Sequence, residues 1–99
     1  MRLTPEEASI IRRQVGRVFG SDARVWLFGS RTDDARRGGD IDLYVEYAPR
    51  AEDEFRRVLE LDDELQMQLG EQRIDIVVWA PGKARGAIHD VARASGVPL

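Results

Sequence analysis

A chain of 99 residues is long enough for one domain, expected here to span 1–99, and too short for two. With 42% hydrophobic and 33% charged residues it has the balance of a soluble globular protein with one modest core. A net charge of −3 leaves no electrostatic footprint for nucleic acid or an anionic membrane, and the absence of cysteine excludes disulfides, thiolate nucleophiles and zinc–thiolate sites.

Thr4-Pro5-Glu6-Glu7 reads as a helix start, with Thr4 as cap, Pro5 in the first turn and Glu7 closing a capping box. The same residues turn acidic at once and carry no apolar leader, so a cytoplasmic protein is expected; no run approaches a membrane span. Ala8, Ile11, Val15 and Val18 recur at helical spacing up to Gly20. Arg24 to Phe28 is a short, nearly all-apolar run that suits a central strand. Residues 31 to 37 are polar and suit a short helix, broken by Gly38-Gly39. Asp40 to Tyr47 is a second strand. One face carries Asp40, Asp42, Tyr44 and Glu46; the other, Ile41, Leu43, Val45 and Tyr47, belongs to a core. A long helix is predicted over 51–69, with Phe55, Val58, Leu59, Leu65 and Leu69 on its buried stripe. Arg73 to Trp79 reads as a third strand, Pro81-Gly82 as a turn, and 83–95 as a last helix ended by Gly96. The order predicts an α/β domain with a small mixed sheet flanked by helices.

The chemistry concentrates at two places. Gly29-Ser30-Arg31 leaves the first strand, and nine residues after Ser30 the pair Asp40 and Asp42 opens the second. Alternation puts these two carboxylates on one face, where they repel unless a cation lies between them. A hard divalent cation prefers such oxygen ligands and bridges phosphates. Gly29 lets the backbone approach an anion, and Ser30 offers a hydroxyl donor. Arg31 is the arginine best placed to pair with phosphate; Arg36 and Arg37 fit a phosphate clamp or a solvated loop equally. Together these features read as nucleotide chemistry.

Gly-Ser, a spacer, Asp-x-Asp on a strand and an aspartate on a later strand, Asp75 in Arg73-Ile74-Asp75-Ile76, is a specific combination. It resembles the DNA polymerase beta-like nucleotidyltransferase superfamily over roughly residues 10 to 80. The chain is similar to its minimal nucleotidyltransferases, small prokaryotic proteins paired with a helical HEPN-type partner in toxin–antitoxin-like modules. The resemblance implies a nucleotidyltransferase-like fold and the catalytic, metal-ligating residues Asp40, Asp42 and Asp75. It also implies nucleotide contacts by Gly29, Ser30 and Arg31. Two Mg²⁺ ions and ATP as AMP donor would follow, with a hydroxyl of the HEPN-type protein as acceptor. No nucleic acid and no membrane are expected as partners. Gly38-Gly39 departs from the family's commoner small hydroxyl residue before the first aspartate.

Other readings stand beside these. Asp75 interrupts an otherwise buried strand, where an unpaired carboxylate is costly; it is the third carboxylate, or it pairs with Arg73 or another arginine. Tyr44 touches a base or substrate, or only walls a cleft. His89 is expected on the surface, Arg12, Arg13 and Arg17 on a solvated face, and Trp26 and Trp79 in packed positions. The activity competes with a non-catalytic module that neutralises its partner by contact, and with transfer to a small molecule.

Overall fold

The computed structural model describes residues 3–29, 41–48 and 53–99. The predicted Ser30, Arg31, Arg36, Arg37, Gly38, Gly39 and Asp40, and the short helix over 31–37, lie outside the described residues.

Helix α1 spans Pro5–Phe19. Its start is the capping box read from sequence: the Glu7 amide donates to Thr4 Oγ1 at 3.1 Å, and the Thr4 amide to Glu7 Oε1 at 2.9 Å. Strand β1 is Arg24–Phe28, β2 is Ile41–Glu46, helix α2 is Glu54–Leu69, and β3 is Ile74–Trp79. Helix α3, Ala87–Ser95, and a two-residue strand β4, Val97–Pro98, complete the described elements. The sheet runs β3-β2-β1-β4, with β2 and β3 parallel and the other pairs antiparallel. The α/β class and the mixed sheet expected from sequence are therefore present.

The odd-numbered face of β2 is the core face. Ile41, Leu43 and Val45 are fully buried there, with Leu27 of β1, Ile11 and Val15 of α1, and Leu61 and Leu65 of α2. The other face of the sheet carries α3. On it the strand registers lay the side chains out in three rows: Trp79–Glu46–Arg24, Val77–Tyr44–Trp26, and Asp75–Asp42–Phe28.

Four expectations need correction. The buried stripe of α2 does not include Phe55, which is 76% exposed, or Leu59, which is 48% exposed; Leu61 and Leu65 are the buried residues. Glu54 heads the true stripe at 54, 58, 61 and 65, and a charged residue there hides it from a hydrophobic pattern. Its carboxylate is held by the Tyr47 hydroxyl at 2.6 Å and the Lys83 ammonium at 2.9 Å. Helix α3 begins at Ala87 and not at 83, because the turn after β3 claims Lys83. The Lys83 amide donates to the Ala80 carbonyl, and its own carbonyl accepts from Trp79 Nε1 at 3.2 Å. The chain continues past Gly96 into β4, which pairs Val97 with Leu27 and Pro98 with Trp26. Gly96 ends the helix in an extended conformation, φ −77°. Packing, not a left-handed turn, demands glycine there: a Cβ would collide with the Ala92 carbonyl and lie 3.0 Å from Trp26 Cβ. Finally, β3 starts at Ile74 and is an edge of the sheet rather than a buried strand.

Candidate active site

Parallel pairing of β2 with β3 sets Asp42 in register with Asp75. In-register residues on neighbouring strands point to the same face, about 4.8 Å apart at the backbone. The structure thus brings together two of the three predicted carboxylates, from segments separated by a whole helix. Phe28 of β1 lies opposite Asp42 on the other side. Asp42 is half-buried and Asp75 exposed.

Gly29 completes this corner. Its φ of +78° is in the left-handed region that glycine adopts without penalty. There is a second constraint. A Cβ on residue 29 would run into the Asp42 carboxylate, with Cγ of Asp42 at 3.1 Å. The missing side chain is the space in which the carboxylate sits. Two accessible carboxylates side by side, with backbone in close approach, make an oxygen-donor set of the type a hard divalent cation takes. Among the described residues no group of three metal-ligating side chains is assembled; Asp40, the third predicted member, lies outside them.

Asp75 differs from the expectation in its surroundings. A buried strand would have made it a costly buried charge; on the edge strand its side chain is half exposed. The alternative partner, Arg73, is present, with Nε 3.7 Å from Oδ2 of Asp75. At that distance, with the arginine side chain 73% exposed, the pair contributes little and does not occupy the carboxylate.

Tyr44 neither walls an open cleft nor reaches a substrate. It is fully buried under α3, with its ring 5.4 Å from that of Trp26. Its hydroxyl donates to Glu46 Oε2 at 2.6 Å and accepts from Arg85 Nη1 at 2.9 Å. Burial, reinforced by the Glu46 carboxylate, raises the tyrosine pKa above its ordinary value. Arg85 also binds Asp90 at 2.7 Å and lies over the Trp79 ring at 4.8 Å. Arg93 reaches Glu46 at 3.5 Å and covers the Trp26 ring. This polar network fastens α3 to the sheet beside the carboxylates. Alternation had placed Tyr44 and Glu46 on the face of Asp42, but Arg85 sits in an irregular turn with no pattern to reveal it.

His89 is half-buried, not on the surface. Its Nδ1 accepts the Gly86 amide at 2.8 Å and so caps the start of α3. Trp26 and Trp79 pack as expected. Arg12, Arg13 and Arg17 are exposed, and Arg17 pairs with Glu60 at 3.2 Å.

A family model, polymerase beta, nucleotidyltransferase, matches residues 18–98, which takes in β1 with Gly29, β2 with Asp42 and β3 with Asp75. The chain belongs to the polymerase beta nucleotidyltransferase family. The resemblance read from the motif and the nucleotidyltransferase-like fold are thereby established. A search of curated proteins gives no match. Within this nucleotidyltransferase Asp75 is exposed and Asp42 half-buried, one row along the sheet from the Tyr44–Trp26 row on which α3 packs. None of the described helices is long and apolar enough to cross a membrane.

Proposed function

We propose that this nucleotidyltransferase moves a nucleoside monophosphate, with AMP from ATP as the default, onto a hydroxyl acceptor and releases pyrophosphate. The observation that carries the reading is the in-register pair Asp42 and Asp75 beside the cramped backbone of Gly29. Asp40, Asp42 and Asp75 would hold two Mg²⁺ ions, whose charge offsets that accumulating on the phosphoryl oxygens in the transition state.

The chain's own groups have distinct tasks. Gly29, Ser30 and Arg31 bind the triphosphate through backbone amides, a hydroxyl and a guanidinium. Asp42, braced against Gly29, fixes one side of the site. Asp75, open to solvent on the edge strand, takes the proton of the attacking hydroxyl on a carboxylate oxygen. That oxygen nucleophile bonds to the α-phosphorus as the bond to pyrophosphate breaks.

The resemblance to minimal nucleotidyltransferases supports a tyrosine hydroxyl of a HEPN-type partner as the acceptor, which would make this chain the antitoxin. Asp75 on an accessible strand edge is consistent with an acceptor presented by another macromolecule. A second reading, neutralisation by contact alone, draws on the apolar side chains that α2 leaves in solvent, Phe55, Leu59 and Met67.

Labelled ATP and Mg²⁺ with the partner, followed by mass spectrometry, tests both. A nucleotide adduct made by the parent chain and lost in Asp42→Asn supports transfer. Full neutralisation by Asp42→Asn without any adduct supports contact. Unaltered turnover in Asp42→Asn overturns the carboxylate site.

A further inference from the structure

Strand β3 ends the sheet on one side, and the direction of its backbone groups follows from its pairing with β2. The Ile41 amide donates to the Arg73 carbonyl at 2.9 Å, and the Tyr47 amide to the Trp79 carbonyl at 3.1 Å. Backbone groups alternate sides along a strand, so the odd-numbered residues of β3 face β2. Ile74, Ile76 and Val78 therefore aim their N–H and C=O groups away from the sheet. The Lys83 ammonium donates to the Val78 carbonyl at 3.4 Å, which agrees with that direction and blunts the far end of the edge. Among the described residues nothing is hydrogen-bonded to the outward groups of Ile74 and Ile76. These two flank Asp75, the one charged residue of the strand, and their side chains are half-buried on the core face. The ladder runs from Ile74 to Trp79 with no bulge, proline or glycine. Such an edge is a template for another strand.

We infer that an extended segment of the acceptor protein adds to β3 as an antiparallel strand and presents its hydroxyl residue opposite Asp75. The inference rests on the proposed transfer reaction. Asp75 turns its own backbone to β2, so a residue facing it belongs to a non-hydrogen-bonded pair. The Cα atoms of such a pair are about 4.5 Å apart, with both side chains on one face. The two neighbours of that residue exchange backbone bonds with Ile74 and Ile76 and send their side chains to the core face, beside the half-buried isoleucines. The segment so recognised reads apolar, hydroxyl, apolar. An acidic residue two places after the hydroxyl falls opposite Arg73, whose side chain is 73% exposed. The hydroxyl residue extends the row Phe28–Asp42–Asp75 by one place. Its oxygen bonds to the α-phosphorus, its proton passes to Asp75, and the pyrophosphate oxygen leaves with the electron pair. Tyrosine suits the place better than serine, because its hydroxyl stands far enough from the backbone to lean across Asp75 toward Asp42. A second copy of β3 paired about this position would set Asp75 against Asp75, like charges directly opposite.

The test uses the peptide Lys-Val-Tyr-Val-Glu with blocked ends, and two readouts: amide hydrogen exchange by NMR without nucleotide, and transfer of labelled AMP from MgATP to the peptide. In the free protein the Ile76 amide should exchange fast and those of Asp75 and Val77, which face β2, slowly. Peptide titrated to about 10 mM should slow Ile76 about tenfold and leave the other two unchanged. N-methylation of both valines removes the two amides that would bond to the edge, and should lower transfer about tenfold or more. N-methylation of the tyrosine, whose amide points away from β3, should change transfer by no more than about twofold. An Ile76 amide already slow in the free protein overturns the inference, since the edge is then occupied by the chain itself or a second copy. Equal transfer to the parent and valine-methylated peptides, or transfer without protection of Ile76, overturns the added strand and leaves the transfer reading intact. Protection of Ile76 without transfer to the peptide removes the presentation to Asp75. Neither protection nor transfer removes both.

Discussion

Gly29→Ala tests the corner of the site most directly, because two penalties of different origin meet at one atom. Placing an L-residue at φ +78° costs about 1–2 kcal/mol. The new methyl must also displace the Asp42 carboxylate. Its nearest obstacles are Oδ2 and, at 3.1 Å, Cγ of that side chain, while Asp42 Cβ at 3.4 Å is an ordinary contact. The carboxylate can therefore swing away, at the price of a distorted side-chain torsion, about 0.5–1.5 kcal/mol. The sum, about 1.5–3.5 kcal/mol, lowers the melting temperature of a domain this size by on the order of 10 °C. A double-mutant cycle in urea separates the parts. In an Asp42→Ala background the obstacle is gone, and Gly29→Ala should cost only the backbone penalty. The expected coupling is about 1 kcal/mol, above the few tenths within which independent sites add. Equal costs in the two backgrounds would refute the close approach of Gly29 to the carboxylate. The displaced carboxylate should also weaken magnesium–nucleotide binding in the single variant, by more than the stability loss explains.

Further outcomes follow from the same geometry. Asp42→Asn should leave the melting temperature unchanged or slightly higher, since it removes one of two like charges standing in register; a marked drop would indicate a structural salt bridge. Asp75→Asn should lower the single-turnover rate by about 10²- to 10⁴-fold with little change in nucleotide affinity, and a stable, fully active variant would remove the residue from the site. Tyr44→Phe removes a hydroxyl bonded to two charged groups and should cost about 1.5–3 kcal/mol in urea denaturation; an unchanged midpoint would contradict the buried network. Burial pushes the Glu54 pKa up, but hydrogen bonds from Tyr47 and Lys83 outweigh it and hold it below the ordinary value. A depressed carboxylate stabilises the fold above its unfolded pKa and loses that contribution as pH falls through the folded one. Glu54→Gln should therefore flatten the acid limb of the stability–pH curve below the ordinary glutamate range.

Elements with strong periodicity were legible in the sequence. The capping box of α1 and the two-faced alternation of β2 appear in the structure as read. The side-by-side placement of Asp42 and Asp75 was not legible: alternation fixes the face of each residue on its own strand, and only the parallel register of β2 with β3 sets the two together. What stayed hidden was set by tertiary contacts. The stripe of α2 is headed by Glu54, whose charge is tolerated only because Tyr47 and Lys83 arrive from elsewhere in the chain. Asp75 looked costly among Ile74, Ile76 and Val77, but strand order, which periodicity does not encode, puts it at the edge. Two residues of β4, one of them proline, carry no periodic signal at all; proline is admissible on an edge strand.

The position of α3 explains why the carboxylates remain accessible. Successive rows on the sheet face are about 6.8 Å apart, two residues along a strand, while a helix with its side chains is about 10 Å wide. The nine residues of α3 pack on the middle row, where the buried Ala92 meets Trp26 and Tyr44. Centred on Tyr44 and Trp26, the helix buries aromatic surface and turns arginines onto Glu46. Shifted one row toward β2's start, it would lay Ala92 on Asp42 and Asp75 and strip water from two like charges, a cost of several kcal/mol. Tyr44 and its network therefore hold the helix on the one row where it both packs and leaves the carboxylates in reach of a substrate.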